Sequence, residues 1–113
     1  MTTKNRQQVH ELTGFKCGLE FLRDQLGKEH SNQALSHNLA KALENYAIRL
    51  DQGYQDNDES SNISNGIRLL CIGLTDEPAN QQKSLIPIID DALAGLNRML
   101  ETLRLFPDKT FNP

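Results

Sequence analysis

The chain has 113 residues, of which 37% are hydrophobic and none is Trp, and its formal net charge is −3. This length predicts one domain, over residues 1–113, with a modest core built mainly from Leu and Ile. The acidic balance argues against a nucleic-acid partner, which needs a basic face, and no apolar run reaches the length of a membrane span.

The first predicted helix covers residues 6–26. Its apolar residues step by three and four positions, as on one face of a helix. Gly14 and Gly18 each cost roughly 1 kcal/mol in a helix interior. We therefore favour an irregular start with a firm helix from Phe15, over the alternative that the glycines admit a close neighbouring helix. Gly27 is a suitable C-terminal residue. The stripe consists of Leu12, Phe15, Leu19, Leu22 and Leu26.

The second predicted helix covers residues 32–50, with Ser31 or Asn32 as its N-cap. Its stripe combines Leu residues with one Tyr, and Gly53 follows at a suitable distance for a helix end. Residues 51–61 are rich in Asp, Asn, Gln and Ser, which predicts an exposed acidic loop.

The third predicted helix covers residues 62–74, where Ile63, Ile67, Leu70 and Leu74 recur at helical spacing. A short helix over residues 76–83 follows. Proline lacks the amide needed in a helix interior. Pro87 therefore predicts a restart, with Ser84 as the cap and Pro87 in the first turn.

The last predicted helix, residues 84–106, carries two overlapping apolar seams. Together they form a stripe wider than a two-stranded coiled coil requires. This width predicts the central helix of an all-α, antiparallel bundle of four, possibly five, helices, with a loose tail at residues 108–113. The residues that we expect at an interface are Leu85, Ile86, Ile89, Leu93, Leu96, Met99, Leu100, Leu103 and Phe106.

No constellation in the sequence predicts catalytic, metal-ligating or cofactor-binding residues. Asp56, Asp58 and Ser60 match the start of a calcium loop, but Ile67 stands where the bidentate Glu is needed. The three His and two Cys lack ligand spacing. There is no nucleophile elbow, phosphate loop or dinucleotide fingerprint. We expect a protein without cofactors or metals and without enzymatic activity.

Cys17 and Cys71 each lie within an apolar helical pattern. Two cysteines in a chain able to build a core do not indicate a disulfide framework. No apolar segment typical of a secretion signal follows the first residues. The sequence therefore predicts reduced thiols and a cytoplasmic location.

A short stretch near the end of the first helix offers an enzymatic alternative. Arg23-Asp24 followed by His30 fits Arg-x6-His with a polar residue directly after the Arg. This resembles the catalytic motif of HEPN-type ribonucleases, small helical domains that act as dimers. The resemblance covers eight residues and implies Arg23 and His30 as the catalytic pair, supported by Asp24. The family carries the motif late in its domain, whereas here it is early, and Gly27 interrupts the intervening helix.

The main functional prediction is a regulatory protein that binds another protein through its helices, as an adaptor, antiactivator, inhibitor or chaperone. The observation in its favour is that the apolar helix faces are more extensive than the other helices of the chain are expected to cover. The same excess predicts a homodimer. A further alternative, a DNA-binding regulator, requires several basic residues on one recognition helix. Lys41, Arg49 and Arg68 are scattered instead.

Overall fold

The computed structural model describes residues 2–27, 33–55, 57–76 and 79–112. No strand occurs among these residues, which confirms the predicted all-α class. The predicted caps Ser31 and Asn32 lie outside the described part of the chain. The elements are α1 (Thr3–Gly27), α2 (Gln33–Gly53), α3 (Asp58–Asp76), a 3-10 helix (Ala79–Leu85) and α4 (Ile86–Leu105).

Consecutive helices run antiparallel and form a bundle of 45 × 21 × 20 Å. α4 lies between α1 and α3, and α3 lies between α2 and α4. The backbones of α1 and α2 approach each other less closely. The predicted all-α bundle is therefore confirmed, and the last helix packs against two others, as α3 does.

The interior is filled largely by Leu and Ile, as the composition predicted. Burial of apolar area at about 25 cal/mol per Å² makes these residues the main source of stability. Among the described residues, the completely buried Leu and Ile side chains are Leu12, Leu19, Leu22, Leu50, Ile67, Leu70, Ile89, Leu96 and Leu103.

α1 begins earlier than predicted, because Thr2 caps it. The Thr2 hydroxyl oxygen accepts a hydrogen bond of 3.1 Å from the Asn5 amide, and the helix then continues through both glycines. The predicted irregular start is therefore wrong. A methyl group at Gly18 would lie 2.5 Å from the Tyr46 hydroxyl oxygen, whereas the same group at Gly14 would meet nothing. The space at Gly18 is thus filled by the Tyr46 side chain of α2 and not by a closely approaching helix backbone.

The acidic loop predicted at residues 51–61 is mostly helical. α2 continues to Gly53, and α3 begins at Asp58. The Asn57 side-chain oxygen accepts a hydrogen bond of 2.9 Å from the Ser60 amide, so Asn57 is the N-cap of α3. Asp58 and Glu59 occupy the first turn, where negative charge is favourable. The acidic residues therefore mark a helix start, which the loop interpretation overlooked.

α4 begins without a side-chain cap. Leu85 occupies the N-cap position and Pro87 lies in the first turn. The proposed cap, Ser84, lies one residue earlier within the 3-10 helix, so that part of the prediction is wrong and the position of Pro87 is right. The buried Gln82 amide nitrogen donates to the Leu74 carbonyl oxygen at 3.3 Å. This contact holds the 3-10 helix against the end of α3.

Each pair of neighbouring helices is joined by an ion pair among the described residues. The arginine side chains are 46–62% exposed, so each pair adds little stability. Their arrangement matches the order of the helices around the bundle. The pairs are Arg23–Asp90 (α1–α4), Arg49–Glu11 (α2–α1), Arg68–Asp51 (α3–α2) and Arg98–Glu59 (α4–α3).

Candidate interaction surface

Most of the expected interface residues of the last helix lie inside the fold. The inner stripe of α4 consists of Ile89, Ala92, Leu96, Met99, Leu100 and Leu103, and none of these is more than 4% exposed. Leu85 is also buried, Ile86 and Leu93 pack half-buried against the core, and Phe106 is 59% exposed. The apolar stripe that suggested a second subunit is therefore covered by the same chain.

A glycine allows this close packing of α4 on α3. A methyl group at Gly95 would lie 2.8 Å from the Ile63 Cγ1 atom and 2.7 Å from a Glu59 carboxylate oxygen. Real side chains do not tolerate such distances. Gly95 thus brings the two helices together beside the Glu59–Arg98 ion pair.

Arg23, the arginine of the ribonuclease-like motif, is engaged within the bundle. Its Nε atom donates a hydrogen bond of 2.7 Å to Asp90, and this contact raises the pKa of the guanidinium group. His30 lies outside the described residues, so the geometry of the Arg23–His30 pair is not defined.

The outer α3 face is defined here by Leu69 and Ile72 and the two grooves beside them. Each of these side chains is 56% exposed. They are three residues apart and therefore share one side of the helix. Ile67 and Leu70, on the opposite side, are completely buried. The sequence contains a signal for this face, because Leu69 falls outside the buried stripe of α3, but the longer apolar seams of the last helix favour an interface there.

A groove between α3 and α4 borders this face on one side. Its volume is ≈ 480 Å³, and Gly66, Leu69, Ile88 and Asp91 contribute to its walls. The absence of a side chain at Gly66 opens the floor, and the nearest heavy atom to a methyl group there would be Ile88 Cγ2 at 3.9 Å. This groove has room for one or two side chains of a bound helix.

A second groove, between α2 and α3, borders the face on the other side. Its volume is ≈ 470 Å³, and Ala40, Lys41, Cys71 and Ile72 contribute to its walls. The Cys71 thiol donates to the Ala40 carbonyl oxygen at 3.3 Å. Burial raises the pKa of the Cys71 thiol. Since only the thiolate is a strong nucleophile, this position suits packing better than catalysis.

A buried tyrosine connects α1 with the end of α2. Tyr54 is 1% exposed, and its hydroxyl donates a hydrogen bond of 2.8 Å to Glu11. Arg49 binds both oxygens of the same carboxylate, at 3.0 and 3.2 Å. Burial, followed by the Glu11 contact, raises the pKa of Tyr54 far above its usual range. The phenol therefore stays protonated and serves as a structural donor.

The tail, residues 108–112, is bound to α1 by two buried side-chain amides. The Gln8 amide nitrogen donates to the Phe111 carbonyl oxygen at 2.7 Å, and the Phe111 amide donates back to Gln8 at 2.9 Å. The Asn5 amide nitrogen donates to the carbonyl oxygens of Lys109 at 2.7 Å and Leu103 at 3.1 Å. Phe111 is 8% exposed and its ring centroid lies 5.9 Å from that of Tyr54.

The tail that the sequence predicts to be loose therefore has defined contacts, although the net gain in free energy from them is small. Ordering the backbone of five residues costs about 5–10 kcal/mol. Burial of Phe111 contributes about 1.5–3 kcal/mol. The four hydrogen bonds of Lys109 and Phe111 contribute about 0.5–1.5 kcal/mol each. The opposing contributions nearly balance, so the tail is bound only weakly.

Comparison with known proteins found no matching family model and no significant match among curated proteins or solved structures. Every helix in the described part of the chain is too short or too polar to cross a bilayer. Within the same part, no three His, Cys, Asp or Glu side chains converge as metal ligands would.

Proposed function

We propose that this chain is a non-enzymatic regulatory protein that binds a helix of a partner protein along the outer α3 face. The observation that carries the proposal is the exposure of Leu69 and Ile72 between two grooves. Grouped exposed apolar residues are characteristic of interaction sites, whereas isolated ones are common on any surface. A partner helix with apolar anchors three and four residues apart fits such a surface.

The charges beside the face define the chemistry of the partner helix. Lys41 and Glu44 border the groove on the α2 side, and Asp91 borders the groove on the α4 side. Lys41 and Glu44 carry opposite charges, so the α2 side does not favour one sign, whereas a basic residue of the partner placed near Asp91 would fix the position of the bound helix. The partner is therefore an amphipathic helix with a basic residue on the flank that faces α4.

Two side chains capable of chemistry support binding over catalysis, because burial keeps each in its less reactive protonated form. The Tyr54 hydroxyl is bonded to Glu11, and the Cys71 thiol is half-buried against Ala40. The unpaired thiols of Cys17 and Cys71 support action in a reducing compartment, which we propose is the cytoplasm.

The test is capture of the partner from the source cell with two matched variants. Leu69→Asp/Ile72→Asp places charge on the outer α3 face, and Leu105→Asp places it at the end of α4, where Leu105 is 66% exposed. We expect the wild type and Leu105→Asp to retain one partner that Leu69→Asp/Ile72→Asp loses. The purified partner should show the same order of affinities by calorimetry.

Equal binding by all three proteins would contradict the proposal, provided that circular dichroism shows equal helix content. Self-association through the same face is the competing possibility, and sedimentation velocity distinguishes it. A dimer of the wild type that Leu69→Asp/Ile72→Asp abolishes would replace the partner helix with a second copy of this chain.

A further inference from the structure

We infer that Asn5, Gln8 and Tyr54 form a second binding site, for an extended peptide containing an aromatic residue. In the structure the chain's own residues 109–111 occupy this site. When the partner binds, a segment of that protein displaces them. The site lies apart from the outer α3 face and does not depend on the proposed function of that face.

The spacing of Asn5 and Gln8 suits hydrogen bonding to an extended peptide backbone. Asn5 and Gln8 are three residues apart on α1, so their side chains project from one side of the helix. They bind the carbonyl oxygens of Lys109 and Phe111, which are two residues apart. In an extended chain this spacing is about 6.6 Å, close to the separation of about 5–6 Å between side chains at i and i+3 of a helix.

Gln8 and Tyr54 add selectivity. Gln8 both donates to and accepts from the backbone of Phe111, as a neighbouring β-strand would. The aromatic ring at this position packs against Tyr54 at 5.9 Å between ring centroids. The site therefore recognises a main-chain amide and carbonyl at the residue that carries an aromatic side chain.

The unpaired side-chain oxygen of Asn5 indicates that residues 109–111 do not satisfy every hydrogen-bonding group of the site. The Asn5 side chain is completely buried, and its Oδ1 atom has no hydrogen-bond donor among the described residues. Buried acceptors of this kind are normally paired, because leaving one unpaired is unfavourable. A peptide that presents an N–H or O–H group to this oxygen would bind better than residues 109–111. A second copy of this chain would make the same contacts as the attached tail, so the fitting ligand comes from another protein.

The probe is a fluorescein-labelled peptide with the sequence of residues 107–112, Pro-Asp-Lys-Thr-Phe-Asn. The substitution Phe111→Ala in the full chain removes the attached aromatic group and frees the site. We expect this variant to bind the peptide roughly tenfold more tightly than the wild type, in which the tail competes. Fluorescence anisotropy measures both affinities, and a probe with Ser in place of Phe should not bind.

Two further variants control for indirect effects. Phe106→Ala removes an aromatic residue that is 59% exposed just before the tail, and it should bind the probe like the wild type. Gln8→Ala combined with Phe111→Ala should lose the binding. The inference is overturned if helical Phe111→Ala fails to bind the probe, or if it binds no better than the wild type.

A measurement on the wild type covers the case in which Phe111→Ala does not fold. Excess unlabelled peptide should accelerate hydrogen exchange of the Phe111 amide, since this amide is bonded to Gln8 only while the tail is bound. Unchanged exchange at saturating peptide would contradict a displaceable tail. A concentration-dependent dimer with exchanged tails, detected by sedimentation, would contradict the assignment of the site to another protein.

Discussion

The inner stripe of α4 and the outer α3 face are both apolar surfaces on neighbouring helices, but only the first is covered by the rest of the chain. Leu96 and Leu103 are completely buried, whereas Leu69 and Ile72 are each 56% exposed. The difference arises because α1 and α3 pack on two sides of α4, while the side of α3 that carries Leu69 and Ile72 has no described helix over it. Apolar character alone therefore does not distinguish a core stripe from an interaction surface.

Truncation within the inner stripe should have the largest effect on stability. Leu96→Ala removes a completely buried side chain from between helices that are held close by glycine. We expect a loss of about 2–5 kcal/mol in the free energy of unfolding, measured by urea denaturation followed by circular dichroism. A loss below about 1 kcal/mol would mean that the stripe is not the centre of the core.

Alanine substitutions at two glycines should have opposite effects. Gly95→Ala introduces a methyl group 2.8 Å from Ile63 and should destabilise the bundle by about 1–3 kcal/mol. Gly14→Ala, where the methyl group would meet nothing within 4 Å, should stabilise it by about 0.5–1 kcal/mol through lower backbone entropy in the unfolded chain. Equal shifts in melting temperature would show that α3 and α4 are not in close contact.

The Asp51–Arg68 ion pair, on the α2 side of the outer α3 face, should have a small effect that depends on pH. The hydrogen bond from Arg68 is the main reason that the pKa of Asp51 lies below its ordinary value of 3.8. A lowered pKa contributes stability above the ordinary value, and this contribution is lost as the pH falls through the lowered one. Wild type and Asp51→Asn should therefore differ at neutral pH and converge below pH 3.8. In an Arg68→Gln background the difference at neutral pH should shrink, and a difference independent of pH would refute the pairing.

The smallest effect on folding is expected at the outer α3 face itself. Leu69→Ala changes a side chain that is 56% exposed, so the free energy of unfolding should stay within about 0.5 kcal/mol of the wild type. The same variant should weaken binding of the partner helix. A loss of stability comparable to that of Leu96→Ala would show that the face is covered in solution and is not available to a partner.

Hydrophobic periodicity by itself determined the helical class, the four main helices and most of the core residues, because a spacing of three and four positions places side chains on one side of a helix. Local chemistry also sets the starts of α1 and α3, through the Thr2 and Asn57 caps, whereas α4 starts without a side-chain cap. These features involve residues within one or two turns of each other, so the sequence contains them directly.

Only the tertiary structure decided which apolar surfaces are covered. The stripe of α4 is buried because α1 and α3 lie against it. Leu69 and Ile72 are exposed because no described helix covers their side of α3. Residue Phe111 is held by Gln8, which is 103 positions away in the chain. Neither relation has a local signature, since contacts between distant residues depend on how whole helices pack. The tail site and the open face of α3 are therefore properties of the folded bundle.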